Sequence, residues 1–223
     1  MVQPGPVAYG NFLPEYGVSM SVPFLILALP RSRTAWLSHF LTYGPKVCEH
    51  DYIINCASIE EFLLAFRQGL AGSVETGAML GWKVLRQRMP TARIVLVRRD
   101  YQEAARALAR ACESAGVVLP IPYDELATRD SLLDAISKMP GVTQLRYEEL
   151  SDESTCHWLF EHCLELPFDR DHWARLAATN IQIDMRSRIE LLVHRQPQLA
   201  ALRAEVIDAS SRISGGTSWL GLN

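Results

Sequence analysis

Short apolar runs alternate along the chain with stretches in which apolar residues recur every three or four positions, the pattern of strands followed by helices. Phe24 to Leu29, FLILAL, is the first run and is bounded by prolines. An uninterrupted apolar run of that length suits a parallel strand covered on both faces. Pro30 ends it, having no N–H for a ladder. Ala35, Trp36, Leu37, Phe40 and Leu41 follow at helical spacing, so a helix is predicted here with Ser32 or Thr34 as its cap. Lys46 to Ile54 reads as a short strand with Glu49, His50 and Asp51 at its middle or end. Ser58 and Glu61 then open a helix as a capping box, closed by Gly69 and Gly72.

Val74 to Leu80 is interrupted by glycine and polar at Glu75-Thr76, which predicts a loop. Gly81 to Leu85 reads as a strand edge or the start of a short helix. Arg93 to Val97, RIVLV, is the second clear strand, and it runs into a helix over Tyr101 to Cys112 with Asp100 and Glu103 at cap spacing. Pro120 and Pro122 make Val117 to Tyr123 an extended loop or edge. Asp130 is predicted to cap a short helix through Ile136, and Val142 to Tyr147 is a further strand. From about residue 152 the chain reads as helical, over 152–164, 171–179, 183–194 and 198–210, with breaks at Pro167 and Pro197. Residues 1–22, rich in proline and glycine, predict an irregular arm before one domain over 23–223. The expected fold class is α/β: three α/β/α layers around a central parallel sheet, with a helical C-terminal part.

Composition narrows the partners more than the fold. Apolar residues make up 48% of the chain and charged residues 21%, an ordinary globular balance. A formal charge of −3 argues against general nucleic-acid binding. The 19 arginines against 3 lysines favour the better bidentate anion ligand. Five scattered cysteines without a C-x-x-C pair suggest reduced thiols, and no metal-ligand spacing links the histidines. No apolar run approaches the roughly 18 residues that span a bilayer. A cytoplasmic protein without membrane or nucleic-acid partners is expected.

The candidate chemistry gathers at two strand-to-helix junctions. Arg31, Ser32, Arg33 and Thr34 crowd the first, and Arg98 and Arg99 the second. The first N–H groups of a helix lack internal partners and sit at the positive end of its dipole, so such a junction suits a dianion. The turn is not the G-x-x-x-x-G-K-[ST] triphosphate loop, since it has neither glycine nor lysine. His50 is a competent base near neutral pH, Glu49 has the same capacity, and Asp51 is placed to orient His50.

Pro30-Arg31-Ser32-Arg33-Thr34-Ala35-Trp36-Leu37 resembles the loop P-[KR]-S-G-T-x-W-L of the sulfotransferase family, with Arg33 in place of the glycine. That resemblance implies a P-loop NTPase-like (sulfotransferase-like) fold. It also implies a donor, PAPS (3′-phosphoadenosine 5′-phosphosulfate, leaving PAP), whose 5′-phosphosulfate end rests on Arg31, Ser32, Arg33, Thr34, Ala35 and Trp36. Arg31 would stabilise the transferring group, and His50 or Glu49 would take the acceptor proton, with no metal required. The family's 3′-phosphate arginine falls on Arg99, whereas the serine eight residues later is Ala107, leaving Arg98, Arg106 or Arg110 to compensate. Tyr147-Glu148-Glu149-Leu150 matches the family's Y-E-x-L and is taken as architectural. The tail from Arg212 is similar to the family's glycine-rich donor loop. The implied activity is sulfuryl transfer to a hydroxyl or amine of a small-molecule or carbohydrate-type acceptor, with a homodimer as a possible assembly. The alternatives are another P-loop nucleotide- or phosphoryl-handling enzyme, or a non-catalytic binding or assembly protein on the same fold.

Overall fold

The computed structural model describes residues 22–118 and 123–213. All but the last residue of the expected arm lies outside these, as do part of the predicted 117–123 segment and nearly all of the glycine-rich tail. The elements in order are β1 (Phe24–Ala28), α1 (Thr34–Phe40), β2 (Cys48–His50), α2 (Ile59–Arg67), β3 (Gly72–Glu75), α3 (Trp82–Arg88) and β4 (Arg93–Arg98). They continue with α4 (Tyr101–Ser114), α5 (Tyr123–Ser137), β5 (Val142–Arg146), α6 (Glu153–Leu164), α7 (Arg170–Ala177), α8 (Met185–His194) and α9 (Gln196–Ile213).

The five described strands form one parallel sheet in the order β2-β3-β1-β4-β5. Central β1 is buried at every position, which is why it reads as a continuous apolar run. Its Phe24, Ile26 and Ala28 pack with α1, α6 and β4's Val95 and Val97, while Leu25, Leu27 and Leu29 pack with α2, α3 and α9. The result is the expected three layers. The β1-to-β2 connection runs over one face and the β3-to-β4 connection over the other. The strand carboxyl ends therefore open a crevice between β1 and β4 where the connections diverge.

Several expectations need correction. The predicted loop at 74–80 begins as strand: β3 pairs with β1 on one side and β2 on the other. Gly72-Ser73-Val74-Glu75 contains one large apolar residue, so its strand character comes from two ladders rather than from side-chain pattern. Helix α5 begins at Tyr123, and Asp130 sits inside it, where its carboxylate pairs with Arg98 at 2.9 Å. Pro197 lies in the first turn of α9 rather than between helices, a place where a missing N–H costs nothing. Gly81 to Leu85 resolves into a 3-10 turn at Ala78–Gly81 and then α3. Ser58 caps α2 as predicted, accepting from Glu61 N–H at 3.1 Å, but the Glu61 carboxylate reaches Ala57 N–H instead of closing the box on Ser58.

Candidate functional site

Neither Ser32 nor Thr34 caps α1. The capping position is Arg33, without a side-chain cap. Arg31 and Arg33 both adopt left-handed backbone, with φ of 66° and 59°. That conformation costs a non-glycine residue about 1–2 kcal/mol, so neighbours must hold it. Arg99 does so at Arg31, donating from its guanidinium to the Arg31 carbonyl. The Arg33 side chain folds back to donate to the Leu150 carbonyl at 2.9 Å, its guanidinium lying over the rings of Trp36 and Tyr147. The backbone at Arg33 is thus the one a glycine would take without strain, and the guanidinium is an addition to the loop rather than a plug in it. Two residues with positive φ thus flank Ser32 in the turn that leads into α1.

A cavity of about 630 Å³ opens on this loop. Arg31, Arg33 and Arg99 line it together with Thr34, Ala35, Trp36, Ala107, Tyr147 and Trp173, and the segment 177–183 closes the far side. Among the described residues, no carboxylate is in the lining. Among the described residues the three guanidiniums bond only neutral oxygens: Arg31 to Gln182 Oε1 at 2.9 Å, Arg33 to a carbonyl, and Arg99 to a carbonyl while stacked over the Tyr147 ring at 4.2 Å. Of the loop residues singled out from sequence, Ser32 alone is absent from the wall. It is fully buried, and its hydroxyl has no partner among the described residues. Arg98 is also absent, committed to Asp130 on α5. Arg99 and Ala107 do share the lining, so the two positions that the family resemblance pairs are brought together here.

His50 and Glu49 part company. Alternation along β2 sends Glu49 to the face of α2 and α9, while His50 shares the α1 face with Cys48. His50 Nε2 lies 2.9 Å from the Thr34 hydroxyl, which puts the imidazole directly behind a loop residue that lines the cavity. Burial lowers its pKa from the ordinary value, outweighing the nearby Asp51 carboxylate, 3.6 Å away. Asp51 is itself buried, accepting from Thr76 N–H at 2.6 Å and forming an ion pair with Arg188 of α8.

Behind Asp51 lies a fully buried acid, Glu75, at the end of β3. Its Oε1 accepts from Ser73 Oγ at 2.5 Å and Ile53 N–H at 3.2 Å, whereas Oε2 has no partner among the described residues. Burial, and then the Asp51 charge, push its pKa well above the ordinary carboxylate range. The folded chain therefore holds this proton to a higher pH than the unfolded chain does. Stability falls as pH rises from the ordinary carboxylate pKa through the folded value. Glu75→Gln keeps the shape of the protonated acid and removes that penalty. It is expected to gain roughly 1–2 kcal/mol at pH 7.5, about 3–6 °C in thermal unfolding, with the gain vanishing near pH 4. A lower melting temperature for the variant at pH 7.5 would mean that Glu75 is ionised in the folded chain.

Three parts of the site escaped the sequence reading. Tyr147, read as architecture, stacks beneath Arg99; its signal was its position just past a strand end, like Arg31 and Arg99. Trp173, read as packing, lines the cavity. Segment 177–183 carries Gln182, the partner of Arg31, across 151 positions of chain, and no local pattern announces such a contact.

No family model matches the chain, and no curated protein matches it. Among solved structures, a crystal structure of a sulfotransferase from Alicyclobacillus acidocaldarius is similar, at 10% identity over 83% of this chain and 96% of that one, with a TM-score of 0.46. At that score and identity the likeness speaks to neither activity nor ligand. Among the described residues, no group of three or more His, Cys, Asp or Glu is arranged to hold a metal ion, and no helix is long and apolar enough to cross a membrane.

Proposed function

We propose that the chain is a sulfotransferase-like enzyme that moves a sulfuryl group from PAPS to a hydroxyl or amine of a small-molecule or carbohydrate-type acceptor. One observation supports this reading: three guanidiniums line one cavity, bonded to neutral oxygens and, among the described residues, facing no carboxylate. Three like charges gathered on one wall without a counter-charge among the described residues repel one another, and a multiply charged anion is what such a wall lacks. The cavity also lies outside the carboxyl ends of β1, β4 and β5, where open parallel sheets take ligands.

PAPS fits the residues present. The loop N–H groups from Ser32 to Ala35 and the Arg31 and Arg33 guanidiniums would hold its 5′-phosphosulfate end. Arg99 would hold its second phosphate. The donor supplies an activated sulfuryl group, so the chain has to orient it, neutralise the charge that grows on the leaving phosphate, and accept one proton. Arg31 is the neutralising group, since its guanidinium gives up only a neutral amide, Gln182, to take an anion. His50 is the base. Depressed by burial, its imidazole is neutral near pH 7, and it reaches the cavity side through Thr34. Glu49, on the other face of the sheet, has no part in this reading.

Thermal unfolding with adenosine 3′,5′-bisphosphate, and with ATP as comparison, tests the donor site. At about 100-fold above Kd the bisphosphate is expected to add ~2.7 kcal/mol, a rise of roughly 5–10 °C for a chain of this size. No rise, or a larger one with ATP, would overturn the reading in favour of an assembly protein or a phosphoryl-handling enzyme respectively.

A further inference from the structure

His50 takes the proton in the reading above, yet it is not among the residues that line the cavity. What stands between the imidazole and the cavity is Thr34. It is only 4% exposed, it lines the cavity, and its hydroxyl lies 2.9 Å from His50 Nε2. A β-branched side chain so closely packed has little choice of χ1 rotamer, so the hydroxyl is held at the ring. The main chain at this position has a separate task. Thr34 opens α1, where first-turn N–H groups lack internal partners and are left for a ligand.

A hydroxyl has one proton to donate and two lone pairs with which to accept. If the proton goes to Nε2, the lone pairs are left for a second partner, and the cavity is the side from which one can come. The other neighbour of Nε2 is Asp51, whose Oδ2 lies 3.6 Å away. Both of its oxygens are engaged, Oδ1 by Thr76 N–H at 2.6 Å and Oδ2 by Arg188. Thr34 is nearer, and of the two it is the one with a proton to give. Burial keeps the ring neutral near pH 7, so one ring nitrogen has a lone pair to receive that proton.

We propose that Thr34 is a catalytic residue of the transfer, the hydroxyl that passes the acceptor's proton to His50 Nε2. The assignment rests on the donor reading above and deepens it, because it supplies the contact between base and cavity. The acceptor O–H or N–H bond breaks toward Thr34 Oγ1 while the Thr34 O–H bond breaks toward Nε2. The electron pair left on the acceptor forms its bond to sulfur, and the pair of the S–O bond that breaks stays on the departing phosphate. Thr34 ends as it began. His50 ends as an imidazolium, its new N–H beside the Asp51 carboxylate.

Nitrogen-15 NMR of the histidines in the full ligand-free chain at pH 7.5 tests the relay, with the His50 signals identified by their loss in His50→Gln. Nε2 is expected to be unprotonated and Nδ1 to carry the hydrogen. Thr34→Val removes the donor and leaves Asp51 as the polar neighbour, so the hydrogen is expected to move to Nε2, whereas Thr34→Ser keeps the wild-type tautomer. With PAPS and 2-naphthol as probe acceptor, Thr34→Val is expected to lose roughly 10²-fold in kcat, and Thr34→Ser to retain most of it. The Kd of adenosine 3′,5′-bisphosphate should change less than about 3-fold in both, since the N–H groups of the loop remain. A wild-type ring protonated at Nε2, an unchanged tautomer in Thr34→Val, or full activity in that variant would overturn the relay while leaving the donor reading standing. Failure of the wild-type chain to bind the bisphosphate would overturn the donor reading, and with it the reaction that the relay serves.

Discussion

Arg31→Ala is expected to lower kcat for sulfuryl transfer by ~10²–10³, the loss that follows removal of one group aimed at developing charge. The expectation rests on what Arg31 touches. Among the described residues its side chain makes one bond, to the Gln182 amide, and that bond is easily surrendered to an anion. The fold does not depend on it, since the left-handed backbone at Arg31 is held through its carbonyl by Arg99 and persists whatever side chain is present. The loss should therefore appear in rate more than in melting temperature. It should also fall on kcat more than on the Kd of the bisphosphate product, because on the proposed reading the charge that Arg31 meets would grow during transfer while Arg33 and Arg99 would still hold the ground state. Arg31→Lys keeps a charge without the planar fork and should recover only part of the rate. Steady-state kinetics with PAPS and titration with the bisphosphate separate these outcomes. Full activity in Arg31→Ala would sink the role.

The arginine loop was legible because its information is local. An apolar run, a proline and a helical period fix β1, the turn and α1 within eighteen residues, and the side chains that matter follow one another along the chain. Likewise β4 and α4 announce themselves, and Asp100 accepts from Glu103 N–H at 2.9 Å as its spacing foretold. What stayed hidden is what depends on contact across the fold. Strand β3 has an unremarkable sequence and exists because β1 and β2 flank it, and with it Glu75 passes from a predicted loop to full burial. Whether Glu49 or His50 meets the loop turns on strand parity, and a three-residue strand is too short for pattern to reveal that. The capping of α1 failed for a related reason. Ser32 and Thr34 have the right chemistry, but Arg33 takes the capping position, the Ser32 hydroxyl is buried without a partner among the described residues and the Thr34 hydroxyl meets His50.

The position of His50 leads to the second large effect. His50→Gln is expected to lower kcat by roughly 10²–10⁴, the range for loss of a positioned general base. It should also erase the acid limb of the pH–rate profile. In the wild-type chain that limb should have its midpoint below about 6.5, the ordinary imidazole value, because burial disfavours the charged ring. The sign follows from the role: a base works when neutral, so rate climbs with pH through the depressed pKa and is level above it. Three neighbours act on the midpoint after burial, Asp51 in one sense and Arg188 and then His39 in the other. Asp51 draws it up, while Arg188 pushes it down and at the same time ties up the Asp51 carboxylate. Replacing Arg188 by methionine should therefore move the midpoint upward without abolishing activity, since the Asp51 charge is then less compensated. A His50→Gln enzyme with an unchanged acid limb, or with unchanged kcat, would remove His50 from the chemistry.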